Sequence, residues 1–247
     1  MALLEVRNVT RRFGGIVALE DVSFDVDAGQ IAGLIGPNGA GKTTVFNVIT
    51  RLYRADAGEV VFDGANLLRT PAHKVVKRGI ARTFQNVELF PGMSVLDNVL
   101  VGTHARSGWF TERRARRRAA DALEEVGAAD VARRPAVGLP FGTLKRVELA
   151  RALAAEPRLL LLDEPAGGLN HEEVGTLGEL IRRIRKDRDL TILLVEHHMS
   201  LVMSISDRVQ VLDFGRKIAE GTPDEVQRNP AVIEAYLGEV PESPSSS

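Results

Sequence analysis

Residues 30–35 (QIAGLI) empty directly into 36–44 (GPNGAGKTT), and a helix-forming segment follows. A strand, a glycine-rich loop and a helix in that order define an α/β nucleotide site before anything else is known of the chain. The spacing of Gly36, four residues, Gly41, Lys42 and Thr43 is that of a phosphate-binding loop. Gly36, Pro37, Asn38, Gly39, Ala40 and Gly41, with Thr44 behind them, are candidates to cradle nucleotide phosphates, because residues without side-chain bulk let the backbone curl around an anion. The helix expected from Lys42 offers its positive end to the same anion. Lys42 is placed to reach the β- and γ-phosphates, and the Thr43 hydroxyl to ligate Mg²⁺.

A second chemical landmark is 159–162 (LLLL) followed by Asp163 and Glu164, a buried strand that delivers two carboxylates at its end. Parallel sheets bind ligands at such strand ends. Asp163 is read as a Mg²⁺ ligand acting through water, and Glu164 as the general base that polarises a water facing the γ-phosphate. Asp-Glu-Pro also merely ends strands; the phosphate loop upstream favours the chemical reading.

Around these landmarks the pattern changes three times. Strand-like runs at 3–9, 22–26, 30–35 and 60–63 surround the loop with a mixed β region. Between about 94 and 156 the apolar residues take helical spacing: Val95 and Val99, then Ala119, Leu123 and Val126, then Leu144, Val147, Ala150 and Leu153. Runs at 159–162, 191–195 and 209–212 then alternate with the helical series Val174, Leu177, Ile181 and Ile184, as a parallel sheet requires. One domain over 3–238 is expected, with a helical subdomain at about 94–156 and a disordered tail at 239–247.

With 247 residues, of which 44% are hydrophobic, the chain can bury a sizeable core. Its net charge of −1 gives no electrostatic case for nucleic acid as a partner. Without cysteine it can form neither a disulfide nor a thiolate metal site, which fits a reducing compartment. The start (MALLEVRNVTRRF) lacks a leader pattern and no stretch approaches the roughly 18 apolar residues of a membrane span, so a protein soluble by itself is expected.

Gln85 after 80–84, the segment 139–153 (LPFGTLKRVELARAL), 164–170 (EPAGGLN) and His197 after 191–196 complete a recognisable set. From about residue 3 to 238 the chain resembles ABC-type ATPases. The resemblance implies a P-loop NTPase of ABC type, with a RecA-like mixed-sheet core, an antiparallel β subdomain and a helical subdomain, acting on ATP with Mg²⁺. It further implies that Gln85 touches Mg²⁺ and the lytic water, that His197 senses the γ-phosphate, and that Phe13 stacks on adenine. Taken alone, Phe13 is equally a core aromatic, the His197–His198 pair is more often structural, and Asn170 with Glu173 has the form of a helix-capping pair.

Within the family, 11–24 (RRFGGIVALEDVSF), 36–50, 81–99 and 220–239 resemble the LivG-type subunits of branched-chain amino-acid importers. The resemblance implies a peripheral subunit on the cytoplasmic face of a bacterial plasma (inner) membrane, bound to permease subunits. Two departures matter. Where most of the family has LSGGQ, this chain has Leu139, Pro140, Phe141, Gly142 and Thr143, so the contact to an opposing subunit's γ-phosphate must come from backbone N–H groups near Gly142 or from the Thr143 hydroxyl, at a helix expected to start near Thr143. Asn170 stands in place of the usual aspartate and keeps its hydrogen bonding without charge.

The family geometry puts Gly142 and the phosphate loop on different surfaces. Two copies, or one copy and a homologous ATPase, are therefore expected to meet head to tail around ATP. The segment 86–97 (NVELFPGMSVLD), with Phe90, Pro91 and Met93 exposed, is the expected permease socket, although a loop packed on its own helix explains it equally. The run 112–118 (ERRARRR) reads as a solvated helix face, with anionic headgroups as the alternative. Two other functions share these motifs: the ATPase of a lipid exporter, and a soluble ABC ATPase, which usually carries two fused halves, a coiled coil or a zinc hook.

Overall fold

A computed structural model describes residues 1–104 and 112–237. The antiparallel strands β1 (Ala2–Phe13) and β2 (Ile16–Asp27) lead into β3 (Ile31–Ile35), which delivers the chain to the glycine-rich loop and α1 (Lys42–Ile49). Next come β4 (Ala57–Phe62), β5 (Ala65–Asn66), the one-turn α2 (Ala72–Val75) and β6 (Ile80–Arg82), and then α3 (Val95–His104), α4 (Glu112–Glu125) and α5 (Phe141–Leu153). The remainder alternates through β7 (Leu159–Asp163), α6 (His171–Arg188), β8 (Thr191–Val195), α7 (Met199–Ile205), β9 (Arg208–Asp213) and β10 (Arg216–Gly221), and ends in α8 (Pro223–Gln227) and α9 (Pro230–Leu237). The tail expected at 239–247 lies outside the described residues.

Six strands form one sheet in the order β10–β9–β3–β8–β7–β6, parallel except for β10, while β2–β1–β4–β5 make a second, antiparallel sheet. The central strands read as continuous apolar runs because both faces of the sheet are covered. Ile31 and Ile35, Leu160 and Leu162, and Ile192 and Leu194 face the cluster that holds the buried sides of α3 to α7. Ala32 and Leu34, Leu159 and Leu161, and Leu193 and Val195 face α1 and the antiparallel sheet. Because β3, β8 and β7 are neighbours and parallel, the glycine-rich loop, Glu196 onward and Glu164 emerge side by side at one edge. That adjacency creates the site.

Four elements escape the sequence pattern in whole or in part. Strands β1 and β2 run on past Val9 through Arg11 and Arg12, since backbone pairing with Leu19 and Val17 continues across bulges where the side chains are polar. β10 is too short and mixed to show a period. Helix α8 opens on a capping box, with Thr222 N–H donating to Glu225 Oε2 at 2.8 Å and Pro223 in the first turn, a signal carried by the four letters TPDE. Among the described residues no helix is long and apolar enough to cross a membrane.

Candidate active site

Two glycines shape the phosphate loop. Gly36 has φ +151° and a Cβ there would sit 2.0 Å from the Leu212 carbonyl oxygen; Gly41 has φ +101° and a Cβ would meet the Ala18 carbonyl oxygen at 2.7 Å. Helix α1 then begins at Lys42 with no side-chain cap and no acidic residue in its first turn, so the positive end of the helix meets no carboxylate of its own where an anion would sit. Lys42, only 6% exposed, folds back and donates from Nζ to the carbonyls of Gly36 at 2.6 Å and Pro37 at 2.8 Å. Residues 38–44, together with Ala18, Glu164 and His197, line a cleft of about 200 Å³.

Across that cleft Glu164 holds two neighbours. Gln85 Nε2 donates to Glu164 Oε2 at 2.9 Å, and His197 Nε2 lies 2.8 Å from Oε1. A carboxylate only accepts, so the second bond has the proton on Nε2 of His197. Glu164 itself adopts φ +47°, a left-handed conformation rare outside glycine, anchored by its N–H to the Val195 carbonyl at 2.9 Å. Such backbone costs about 1–3 kcal/mol and persists where the surroundings hold it, here aiming the carboxylate into the cleft.

Asp163 ends β7 at 2% exposure, its carboxylate bonded by Arg82 and its N–H donating to Thr83 Oγ1 at 3.3 Å. Thr43 is exposed and lines the cleft. As ligands, Thr43, Gln85 and Asp163 would present a hydroxyl, an amide and a carboxylate oxygen, a donor set that fits a small hard cation such as Mg²⁺; of the three, Thr43 lines the cleft, while Gln85 and Asp163 stand outside that lining.

Three buried charges that sequence reasoning passed over hold this arrangement. Glu196, 1% exposed, accepts from the N–H groups of Ala166 at 2.5 Å, His197 at 3.0 Å and His198 at 3.2 Å. A carboxylate closing an all-apolar strand was its signal. Lys145 Nζ reaches the carbonyls of Gln85 at 3.0 Å and Glu164 at 3.3 Å, and Glu148, three residues on, accepts the Phe84 N–H at 3.1 Å. Burial raises the Glu148 carboxyl above its ordinary pKa, with the Phe84 N–H, Arg151 and Lys145 pulling it back. Both lie on the inner face of α5, where the helical period marks positions for apolar residues.

Helix α5 starts at Phe141, two residues before the expected Thr143, because Pro140 sits at φ −54° and ψ 146° and serves as the N-cap. Its carbonyl takes the N–H groups of Thr143 at 3.0 Å and Leu144 at 3.1 Å, so Phe141 and Gly142 carry the first orphan donors and Thr143 keeps only its hydroxyl. Neither Gly142, Thr143 nor Asn170 lines the cleft of the same chain. Asn170 caps α6 reciprocally with Glu173, at 3.0 Å and 2.9 Å. A Cβ on Gly142 would meet Glu173 Oε1 at 2.9 Å. Gly142→Asp therefore brings one carboxylate against another on this surface; ATP turnover is expected to be abolished while ATP binding stays nearly intact, and unchanged phosphate release would discard the segment's role.

The remaining candidates divide. Phe13 is 37% exposed and not a core residue; its ring lies under Arg11 at 4.4 Å and edge-on to Tyr53 at 5.0 Å, away from the lining of the phosphate cleft. Phe90 is 51% exposed, but Met93 is half-buried, contrary to expectation: the 90–94 loop is clasped by buried Asn98, which bonds the Phe90 N–H at 2.7 Å and carbonyl at 3.0 Å, and the Met93 carbonyl takes the Ala136 N–H at 3.1 Å. His198 is the N-cap residue of α7. Arg116, exposed, pairs with Glu112 at 3.0 Å, as on a solvated face, whereas Arg118 is 18% exposed and pairs with Glu156 at 3.0 Å beyond its own helix.

These features together define an ATP-binding cassette: the ABC transporter family matches residues 19–167, and the chain belongs to it. A second family, described as branched-chain amino acid ATP-binding cassette transporter, matches residues 216–241. The chain is 44% identical over 250 residues to the high-affinity branched-chain amino acid transport ATP-binding protein LivG of Salmonella typhimurium, covering 96% of this chain and 98% of that protein. The crystal structure of the ADP conformation of an ATP-binding cassette of an ABC transporter matches with a TM-score of 0.88 at 31% identity, over 97% of this chain and 100% of that one. A dimeric bacterial ABC transporter cassette matches with a TM-score of 0.80 at 26% identity, over 89% of this chain and 98% of that one.

Proposed function

We propose that this ATPase powers a membrane transporter that imports branched-chain or related amino acids. The observation that carries the reading is Glu164, bracketed by Gln85 and His197 over the phosphate loop. Lys42 exchanges the Gly36 and Pro37 carbonyls for the β- and γ-phosphates of ATP. Thr43, Gln85 and Asp163 would hold Mg²⁺, which when bound would neutralise developing phosphate charge. Glu164 accepts the proton of the attacking water, Gln85 orients that water, and His197 presents its N–H to the γ-phosphate. Gly142 and Asn170 of a second ATPase, the same chain or a homologue, complete the cleft that one chain leaves open. ATP then favours the closed pair and hydrolysis reopens it. The helical subdomain at about 94–156 moves with that closure.

The subunit sits peripherally on the cytoplasmic face of the inner membrane, with the permease in a groove of about 580 Å³ lined among others by Leu52, His73, Phe84, Phe90 and Val101. The groove supports this reading because its walls run from exposed Phe90 to Phe84, the neighbour of Gln85. Val101→Asp, at a site 36% exposed, places a charge in that wall. Co-purification with the permease subunits is expected to fall at least tenfold while ATP binding is unchanged; a complex that survives refutes this docking site. ATP-driven leucine uptake by vesicles carrying the assembled transporter tests the cargo, and ATP-dependent release of lipid to an acceptor in its place would support the exporter reading.

A further inference from the structure

One cation stands outside these roles. Arg82 closes β6 with its side chain 6% exposed, beside Asp163 at 3%. Its Nη2 donates to Asp163 Oδ2 at 2.6 Å, and its Nη1 donates to Asn47 Oδ1 at 2.7 Å and reaches Thr50 Oγ1 at 3.4 Å. The guanidinium lies 5.4 Å from the Phe46 ring centroid and 5.1 Å from that of Phe84. Both Arg82 and Phe84 line the groove assigned to the permease.

Asn47 lies one helical turn beyond Thr43 on α1, so the two share a face. A single planar fork thus grips α1 just below Thr43 with one end and Asp163 with the other. An ammonium, a point charge on a flexible stem, cannot impose that separation. The bond from Arg82 engages Oδ2 of Asp163 and not Oδ1. We infer that Arg82 is a positioning residue for the magnesium site: it fixes the spacing between Thr43 and Asp163, which stand on different elements, and transmits displacement of the groove wall to them. The inference rests on the reading that these two residues hold Mg²⁺.

Charge alone gives the opposite sign, since a cation bonded to Asp163 competes with a divalent ion and weakening it would strengthen metal binding. Arg82→Lys and Asn47→Ala both keep the positive charge and loosen the grip. The measurement is the equilibrium affinity of the purified full chain for ATP with excess Mg²⁺ and with EDTA; the ratio of the two is the metal's contribution. Each variant is expected to lower that ratio about threefold to tenfold, the worth of one lost hydrogen bond, with the EDTA value unchanged. An unchanged or raised ratio overturns the inference, as does a parallel loss in both conditions, which marks Arg82 as structural only. A wild-type ratio of one would instead overturn the magnesium assignment itself.

Discussion

Glu164→Gln is expected to bind ATP, to remain associated as an ATP-bound dimer, and to release phosphate about a hundredfold to ten-thousandfold more slowly, the range that a positioned general base contributes. The amide keeps the shape of the carboxylate and retains one oxygen to accept from Gln85 or His197, so the geometry survives while proton acceptance is lost. Phosphate release and size-exclusion chromatography in ATP and Mg²⁺ measure the two halves of the expectation. Normal release by the variant removes Glu164 as the base.

Lys42→Ala acts earlier, on binding. Its ammonium is nearly buried against the Gly36 and Pro37 carbonyls and is the one cation lining the phosphate cleft among the described residues. Charge-assisted hydrogen bonds of about 1.5–3 kcal/mol correspond to a fall in ATP affinity of about tenfold to a hundredfold or more. The fold is expected to hold, because Val45, Phe46 and Ile49 anchor α1 independently in the core. Equilibrium nucleotide binding checks this, and an unaltered dissociation constant would remove Lys42 from the phosphate contact.

Much of this molecule was legible in its letters because the letters report local requirements. Gly36 and Gly41 can be nothing else where a Cβ would run into the carbonyl oxygens of Leu212 and Ala18. The apolar runs of β3, β7 and β8 announce strands covered on both faces. Asn170 and Glu173 declare their cap three residues apart. What stayed hidden depends on long-range packing. Arg82 and Asp163 are 81 positions apart, Lys145 and Gln85 60 apart, and no periodicity reports that such pairs meet. The start of α5 was misplaced for a local reason, since Pro140 supplies an extended φ and ψ at which the helix can begin at once. Met93 was expected to be exposed together with Phe90 and Pro91 as part of a permease socket; a buried asparagine on α3 turns the loop back on itself.

The three amides gathered on Glu196 have a mechanical meaning. Its carboxylate rivets the turn after β8 to the turn after β7 at Ala166, so a shift of the backbone at His197 is passed to Ala166 through one shared side chain. On the proposed role of His197, a nudge of the imidazole by the terminal phosphate is therefore felt across the sheet at Ala166, in the loop that leads to α6.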